Sequence, residues 1–278
     1  MRAFQPGGRG VLSAAALVAV LLGGQVGLDA QARGRGAQPP ATARAAAPID
    51  LTGYWVAEIT EDWRWRMVTP GKGDYSSIPI TAAAQKAADA WDPARDEAAG
   101  EQCKAYGAPG LMRAPTRLNI TWLDDNTLKV ETDYGMQTRL MRFGNQPLSG
   151  GAAGGASGAA AGGAPTWQGE SVARWDVPGG GGRGGAPVAT GPGTGTLVVN
   201  TTRLRPGYLR KNGVPYGANA TMTEFWDLVR EPTGELRILL LIQVEDPMYL
   251  TQPWVVPVHF KREPNGAKWE PTPCAAKF

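Results

Sequence analysis

The chain of 278 residues holds a single histidine, His259. A Ser-His-Asp triad therefore has only one imidazole to be built on, and a histidine-rich metal site is excluded. Cysteine is almost as scarce: Cys103 and Cys274 are the two present. A four-cysteine zinc site and a dense disulfide framework are both ruled out, and neither a metal nor a cofactor is expected. Charge of one sign is also lacking. Lys and Arg number 28 against 25 Asp and Glu, for a net charge of +3, with no dense basic patch. Nucleic acid is thereby excluded as the main partner. Beyond the first residues no run of about 18 apolar residues occurs, so no membrane span is expected in the rest of the chain.

What is present begins with a leader. Arg2 and Arg9 precede the apolar run Val11 to Leu22, and Ala30-Gln31-Ala32 offers a small-residue cleavage site. Residues 1–32 are expected to be a cleaved signal peptide, which places the mature protein in the periplasm or outside the cell. Residues 33–48, rich in Ala, Arg, Gly, Pro and Gln, predict a flexible linker. Its Arg33, Arg35 and Arg44 are candidates for contact with envelope polymers, against a solvated tail. Residues 49–278 predict one domain. In an oxidising compartment the even pair of cysteines reads as one disulfide, Cys103–Cys274.

Period-two alternation runs from Leu51 through Met67 and predicts a single long strand with Trp63 and Trp65 on one face and Arg64 and Arg66 on the other. Thr81 and Asp92-Pro93 are the N-caps of two short helices over Ala82–Ala90 and from Pro93 toward Cys103. These helices either lie over a barrel mouth or patch a sheet edge. Strands follow at Arg117–Leu123, Leu128–Thr132, Met136–Phe143, Trp167–Val177, Thr196–Leu204, Thr221–Arg230, Leu236–Val244 and Trp254–Arg262, with turn signals every eight to ten residues or so. Gly-rich inserts at 149–164 and 178–195 are expected to be loops. About nine or ten strands, with connections too short for parallel crossovers, predict a mainly β fold: an antiparallel barrel with a short helical insertion, or alternatively a β-sandwich. Leu236–Val244, apolar at nearly every position, predicts a strand covered on both faces.

Gly53-Tyr54-Trp55, opening the first strand, resembles the Gly-x-Trp signature of lipocalins and related barrels. That resemblance implies an indole plugging the closed end, a glycine letting backbone pass beside it, and a small apolar ligand. Further motifs occur in order: Trp167-x-Gly169-x-Ser171-x-x-Arg174-Trp175, Leu197-Val198-Val199-x-Thr201-Thr202, Thr223-Glu224-Phe225, Glu245-Asp246-Pro247-x-Tyr249 and Pro253-Trp254. Their order resembles a group of secreted bacterial proteins with lipocalin-like barrels and no assigned reaction. Relatives in that group often carry a histidine upstream of the Thr-Glu pair, where this chain has Tyr216, Gly217 and Asn219.

Candidate site residues follow from charge placed in apolar strands. Glu224 reads as a buried ion pair or as an acid–base group, with Arg174 or Tyr216 as working partner. Glu58, Trp63, Trp65, Arg205, Tyr208 and Tyr249 are ligand-binding candidates, because aromatic platforms and a basic loop could meet a small molecule at a barrel mouth. Glu245-Asp246-Pro247 also reads as a turn capped by Asp246, and His259 as a polar strand residue. The leading expectation is a binding protein for a small hydrophobic or aromatic compound. The alternatives are a carboxylate-dependent hydratase, isomerase or lyase, and a surface protein that contacts envelope material through its Gly-rich loops.

Overall fold

The computed structural model describes residues 42–144, 163–178 and 194–276. The leader, the first part of the linker and most of both Gly-rich inserts lie outside the described residues. Strands β1 (Gly53–Glu58), β2 (Arg117–Asp124), β3 (Thr127–Thr132), β4 (Thr138–Phe143), β5 (Glu170–Asp176) and β6 (Thr196–Thr202) are followed by a small hairpin, β7 (Gly207–Arg210) and β8 (Val214–Tyr216). Three long strands complete the chain: β9 (Thr221–Arg230), β10 (Leu236–Glu245) and β11 (Trp254–Glu263). The hairpin stands apart, and the other strands close a barrel in the order β1-β11-β10-β9-β6-β5-β4-β3-β2. The mainly β barrel is therefore the fold, and the sandwich is not.

Alternation places the core inside. On β9, Met222, Glu224 and Trp226 are buried, and on β10 so are Ile238, Leu240, Ile242 and Val244. The opposite face of β10 departs from expectation: Leu239 and Leu241 are 37% and 40% exposed. Among the described residues no second layer covers that face, because closure of the barrel already buries one side of every strand. A second departure is that β4 and β5 pair in parallel, Met141 with Ser171 and Phe143 with Ala173. Parallel pairing needs a crossover of about a dozen residues or more. The connection from Phe143 to Glu170 supplies that length; it does not simply lengthen a hairpin loop.

At one end of the barrel Trp55 is fully buried, and its Nε1 donates to Leu51 O at 2.9 Å. The Arg262 guanidinium lies 4.8 Å from the centre of the indole. Gly53 has φ +113°, and a Cβ there would stand 2.6 Å from Arg262 Nη2. The glycine thus makes room for a side chain laid over the indole rather than for passing backbone. Gly53→Ala is expected to cost about 1–3 kcal/mol through strained backbone and displaced guanidinium, as a lowered urea midpoint; an unchanged midpoint would refute this account. The last residues of the linker close the same end: Ala43 N donates to Asn126 Oδ1, and Ala43 O accepts from Trp175 Nε1 at 2.8 Å. Residues 42–48 are accordingly docked, not free, because their backbone groups find partners on the barrel.

The opposite end carries the helical insertion. The run beyond β1 is not strand. Asp62, at φ 49°, starts a short helix, α1 (Trp63–Met67), so the indoles and guanidiniums do not divide between two faces. Trp63 is 66% exposed while Arg66 is buried. Five alternating residues satisfy one helical turn as well as a strand, which is why period two misleads here. Helix α2 (Ala82–Asp89) is capped by Thr81, whose side chain accepts from Ala84 N, and α3 (Pro93–Ala98) by Asp92, whose side chain accepts from Ala94 N. A 3₁₀ turn, Lys104–Tyr106, and α4 (Ala108–Leu111) follow. The insertion bonds to the loops of this end: Thr81 N to Tyr249 O at 3.0 Å, Ala108 N to Trp167 O at 2.9 Å, and Trp254 Nε1 to Ser77 O at 3.0 Å. It therefore lies over the barrel mouth, together with the β7–β8 hairpin. The Cys103–Cys274 disulfide forms as expected and ties the C-terminal tail to this cap. No described helix is long and apolar enough to cross a membrane.

Candidate functional site

Glu224 points into the barrel and is fully buried, in phase with Met222 and Trp226. Its partner is Arg139, not Arg174. Arg139 Nη1 donates to Glu224 Oε1 at 2.7 Å and Nη2 to Oε2 at 2.6 Å, with both side chains at 0% exposure. Ser171 and Thr201 flank the guanidinium and bond to each other at 2.8 Å. Arg174 is exposed on the outer face of β5 and reaches Asn200 Oδ1 at 3.4 Å. The charge that answers a buried carboxylate has to share its side of the sheet, and Arg174 is out of phase with Ser171 and Ala173. Sequence reasoning missed Arg139; its alternation with the apolar Met141 and Phe143 marks an inward position but does not say which strand it faces. Tyr216 is buried in β8 against Gly107 and Gly207, where a Cβ would meet its hydroxyl at 2.1 and 2.6 Å. Its hydroxyl has no hydrogen-bond partner among the described residues, and burial raises its pKa.

The other expected ligand residues are dispersed. Glu58 is held on the surface by Arg237, at 2.7 and 3.3 Å. Arg205 bonds Glu101 at 2.5 Å and lies 4.3 Å from the Trp167 ring centre. Tyr208 donates to Asp96 at 2.8 Å, and burial raises its pKa. Tyr249 belongs to the turn that Asp246 caps: Asp246 Oδ1 accepts from Met248 N and Tyr249 N, and Oδ2 accepts from Gly217 N at 2.6 Å. His259 stands beside Thr60 and Glu61 on the barrel's outside.

One cleft lies in the cap rather than in the barrel, and Trp65 alone of these candidates lines it. Its cavity volume is about 110 Å³. Its walls include Trp65, Arg66 and Met67 from α1, Tyr106 from the 3₁₀ turn, Arg113 just beyond α4, Tyr134 from the β3–β4 turn, and Arg210 and Lys211 at the end of β7. Leu111 and Leu209 add apolar surface. Three of these walls are guanidiniums less than a tenth exposed: Arg66 at 6%, Arg113 at 6% and Arg210 at 7%. Glu61 answers Arg66, and Asp62 answers Arg113 at 3.1 Å.

Arg210 is different. It spends its Nη atoms on Ser76 O at 2.7 Å, Ser77 Oγ at 2.8 Å and Asp74 O at 3.4 Å. Among the described residues no carboxylate stands within ion-pair distance of it. Among the described residues Arg66 Nη2, Arg113 Nη2 and Arg210 Nε have no hydrogen-bond partner. Burial lowers the pKa of all three, to about 10 for Arg66 and Arg210, which leaves them charged at neutral pH. Sequence patterning missed this cluster because its members come from a helix turn, a loop and a hairpin with no common period. The adjacency of Arg64 and Arg66 to two indoles was its one visible trace.

The fold and the cleft define a nine-stranded barrel with a cationic, aromatic-lined recess over one end. No family model matches the chain, and no curated protein or solved structure is detectably similar to it.

Proposed function

We propose that this chain binds a small organic anion in the cap cleft, with the anionic head among Arg66, Arg113 and Arg210 and a flat apolar part against Trp65 and Leu111. The observation that carries this reading is Arg210: a buried guanidinium with no carboxylate at ion-pair distance among the described residues, in the wall of a cavity where two further guanidiniums each keep an unspent nitrogen. Burying a charge without its counterion is costly, and a bound carboxylate or phosphate would supply it. The volume of about 110 Å³ lies below the ~150 Å³ that holds benzene in an engineered core, so the site takes a short acid or at most one ring. This shifts the ligand from the barrel interior, which Trp55, Trp226, Phe260 and the Arg139–Glu224 pair occupy, to the cap. Both oxygens of Glu224 are taken by Arg139, so the hydratase or lyase reading gains no support from it.

Benzoate is expected to raise the thermal midpoint and benzyl alcohol not to. Arg210→Met should weaken benzoate binding by about 10- to 100-fold, the worth of one charge-assisted hydrogen bond. Equal shifts with the neutral alcohol, or none with either, would sink the reading. We also infer export to the periplasm or beyond: the leader-like first residues and the Cys103–Cys274 disulfide support it. Kinship with lipocalin-like barrels belongs to the same proposal, supported by Trp55 at the barrel end with Gly53 and Arg262 beside it.

A further inference from the structure

Lys211 follows Arg210 in the turn of the hairpin and shares the cleft wall with it. Its side chain is half-buried, so it is within reach of a ligand in the cavity. Lys211 Nζ lies 3.2 Å from Tyr106 Oη and is in direct contact with Tyr134 Oη. The two hydroxyls belong to rings 5.2 Å apart, and both rings also line the cavity. A primary amine set between two phenols, beside a cluster of buried guanidiniums, is an arrangement for carbonyl chemistry rather than for a solvated lysine. Burial pushes the ammonium down to about 7, so much of the Lys211 amine is uncharged at neutral pH.

We propose that Lys211 condenses with the carbonyl of a short 2-oxo acid whose carboxylate is held by Arg66, Arg113 and Arg210. The proposal rests on the anion-binding reading and names its ligand class. The amine lone pair attacks the carbonyl carbon, and the C=O π electrons move to oxygen. Proton transfer from nitrogen to that oxygen gives a carbinolamine. A phenol, Tyr134 or Tyr106, then protonates the hydroxyl as the C–O bond breaks. Water leaves, the C=N bond forms, and the phenolate recovers a proton from the iminium nitrogen. No oxidant or reductant is needed. The product is an imine plus one water.

The test uses pyruvate with cyanoborohydride, which reduces imines in preference to ketones. Peptide mapping is expected to find one carboxyethyl group per chain, on Lys211, with little on exposed lysines such as Lys72 and Lys86. Lys211→Arg should lose the label while keeping the cooperative urea unfolding of the parent protein, which shows that the variant folds. Arg210→Met should cut pyruvate labelling at least tenfold yet leave labelling by acetone, which has no carboxylate, unchanged. Label spread evenly over lysines, or persisting in full in Lys211→Arg, overturns the proposal. Propionate, which has a carboxylate but no carbonyl, separates the two readings. If propionate binds and pyruvate leaves no label, the imine is wrong and anion binding stands. If neither has any effect, both are wrong.

Discussion

Glu224→Leu alone is expected to lower the unfolding free energy by about 3–5 kcal/mol, because it strands a buried guanidinium inside the barrel. Arg139 has no other carboxylate in ion-pair reach among the described residues, and its Nε already lacks a partner. Removing both charges should cost much less. In Arg139→Met with Glu224→Leu, similar volumes fill the same space against Met141 and Trp226. The Ser171 and Thr201 hydroxyls keep their mutual hydrogen bond and are not orphaned. The double variant should therefore recover most of the loss, as measured by urea unfolding of both single variants and the pair. The gap between the double variant and the sum of the singles is the coupling energy, and residues in direct contact are where such non-additivity is largest. If the double variant is as unstable as the worse single, the pair contributes packing or specificity that apolar side chains cannot replace. If Glu224→Leu is nearly neutral, Arg139 is not stranded in the way its burial implies.

The same pair shows how much of the molecule could be read in advance. Alternation along β9, β10 and β11 marks those strands within a residue or so, because their inward positions are mostly apolar and turns separate them cleanly. It marked Glu224 as an inward charge for the same reason. It did not find Arg139, since pairing across β4, β5, β6 and β9 depends on which strands become neighbours. The parallel β4–β5 contact that sets this order is not visible in any local pattern. The cap was legible only at its helix starts, where Thr81 and Asp92 are N-caps by local chemistry. The cleft residues of α1, the Arg113 loop and the β7–β8 hairpin come together only in three dimensions. Arg210 in particular reads in sequence as part of a solvated basic loop. It is buried because the 74–77 backbone offers it carbonyls, and no periodicity encodes that contact.

Reducing the Cys103–Cys274 disulfide is expected to lower stability by about 5 kcal/mol at most, and to loosen the cleft as well. The bond closes a loop with a sequence separation of 171, and the chain-entropy estimate for loops of that size is near 5 kcal/mol, with local compensation lowering the measured value. The second effect follows from where the bond lies. Cys103 immediately precedes the 3₁₀ turn that presents Tyr106, and the tail after β11 is pinned to the cap at neighbouring points: Thr272 N to Asp133 O at 2.9 Å, Gly135 N to Thr272 O at 2.9 Å, and Ala275 N to Tyr106 Oη at 3.2 Å. These bonds are short-range and individually weak in net terms. Without the covalent tie the tail can leave, and with it go supports on both sides of the Tyr106–Tyr134 wall. Urea midpoints with and without reductant measure the first effect. Benzoate affinity of the Cys103→Ala, Cys274→Ala double variant, taken where that variant is still folded, measures the second. The variant should be insensitive to reductant and bind more weakly than the oxidised protein. A midpoint unmoved by reductant would mean that the tail is held without the bond. Unchanged affinity in a destabilised variant would mean that α1, Arg113 and the hairpin shape the cleft unaided, which confines the disulfide's role to the stability of the cap.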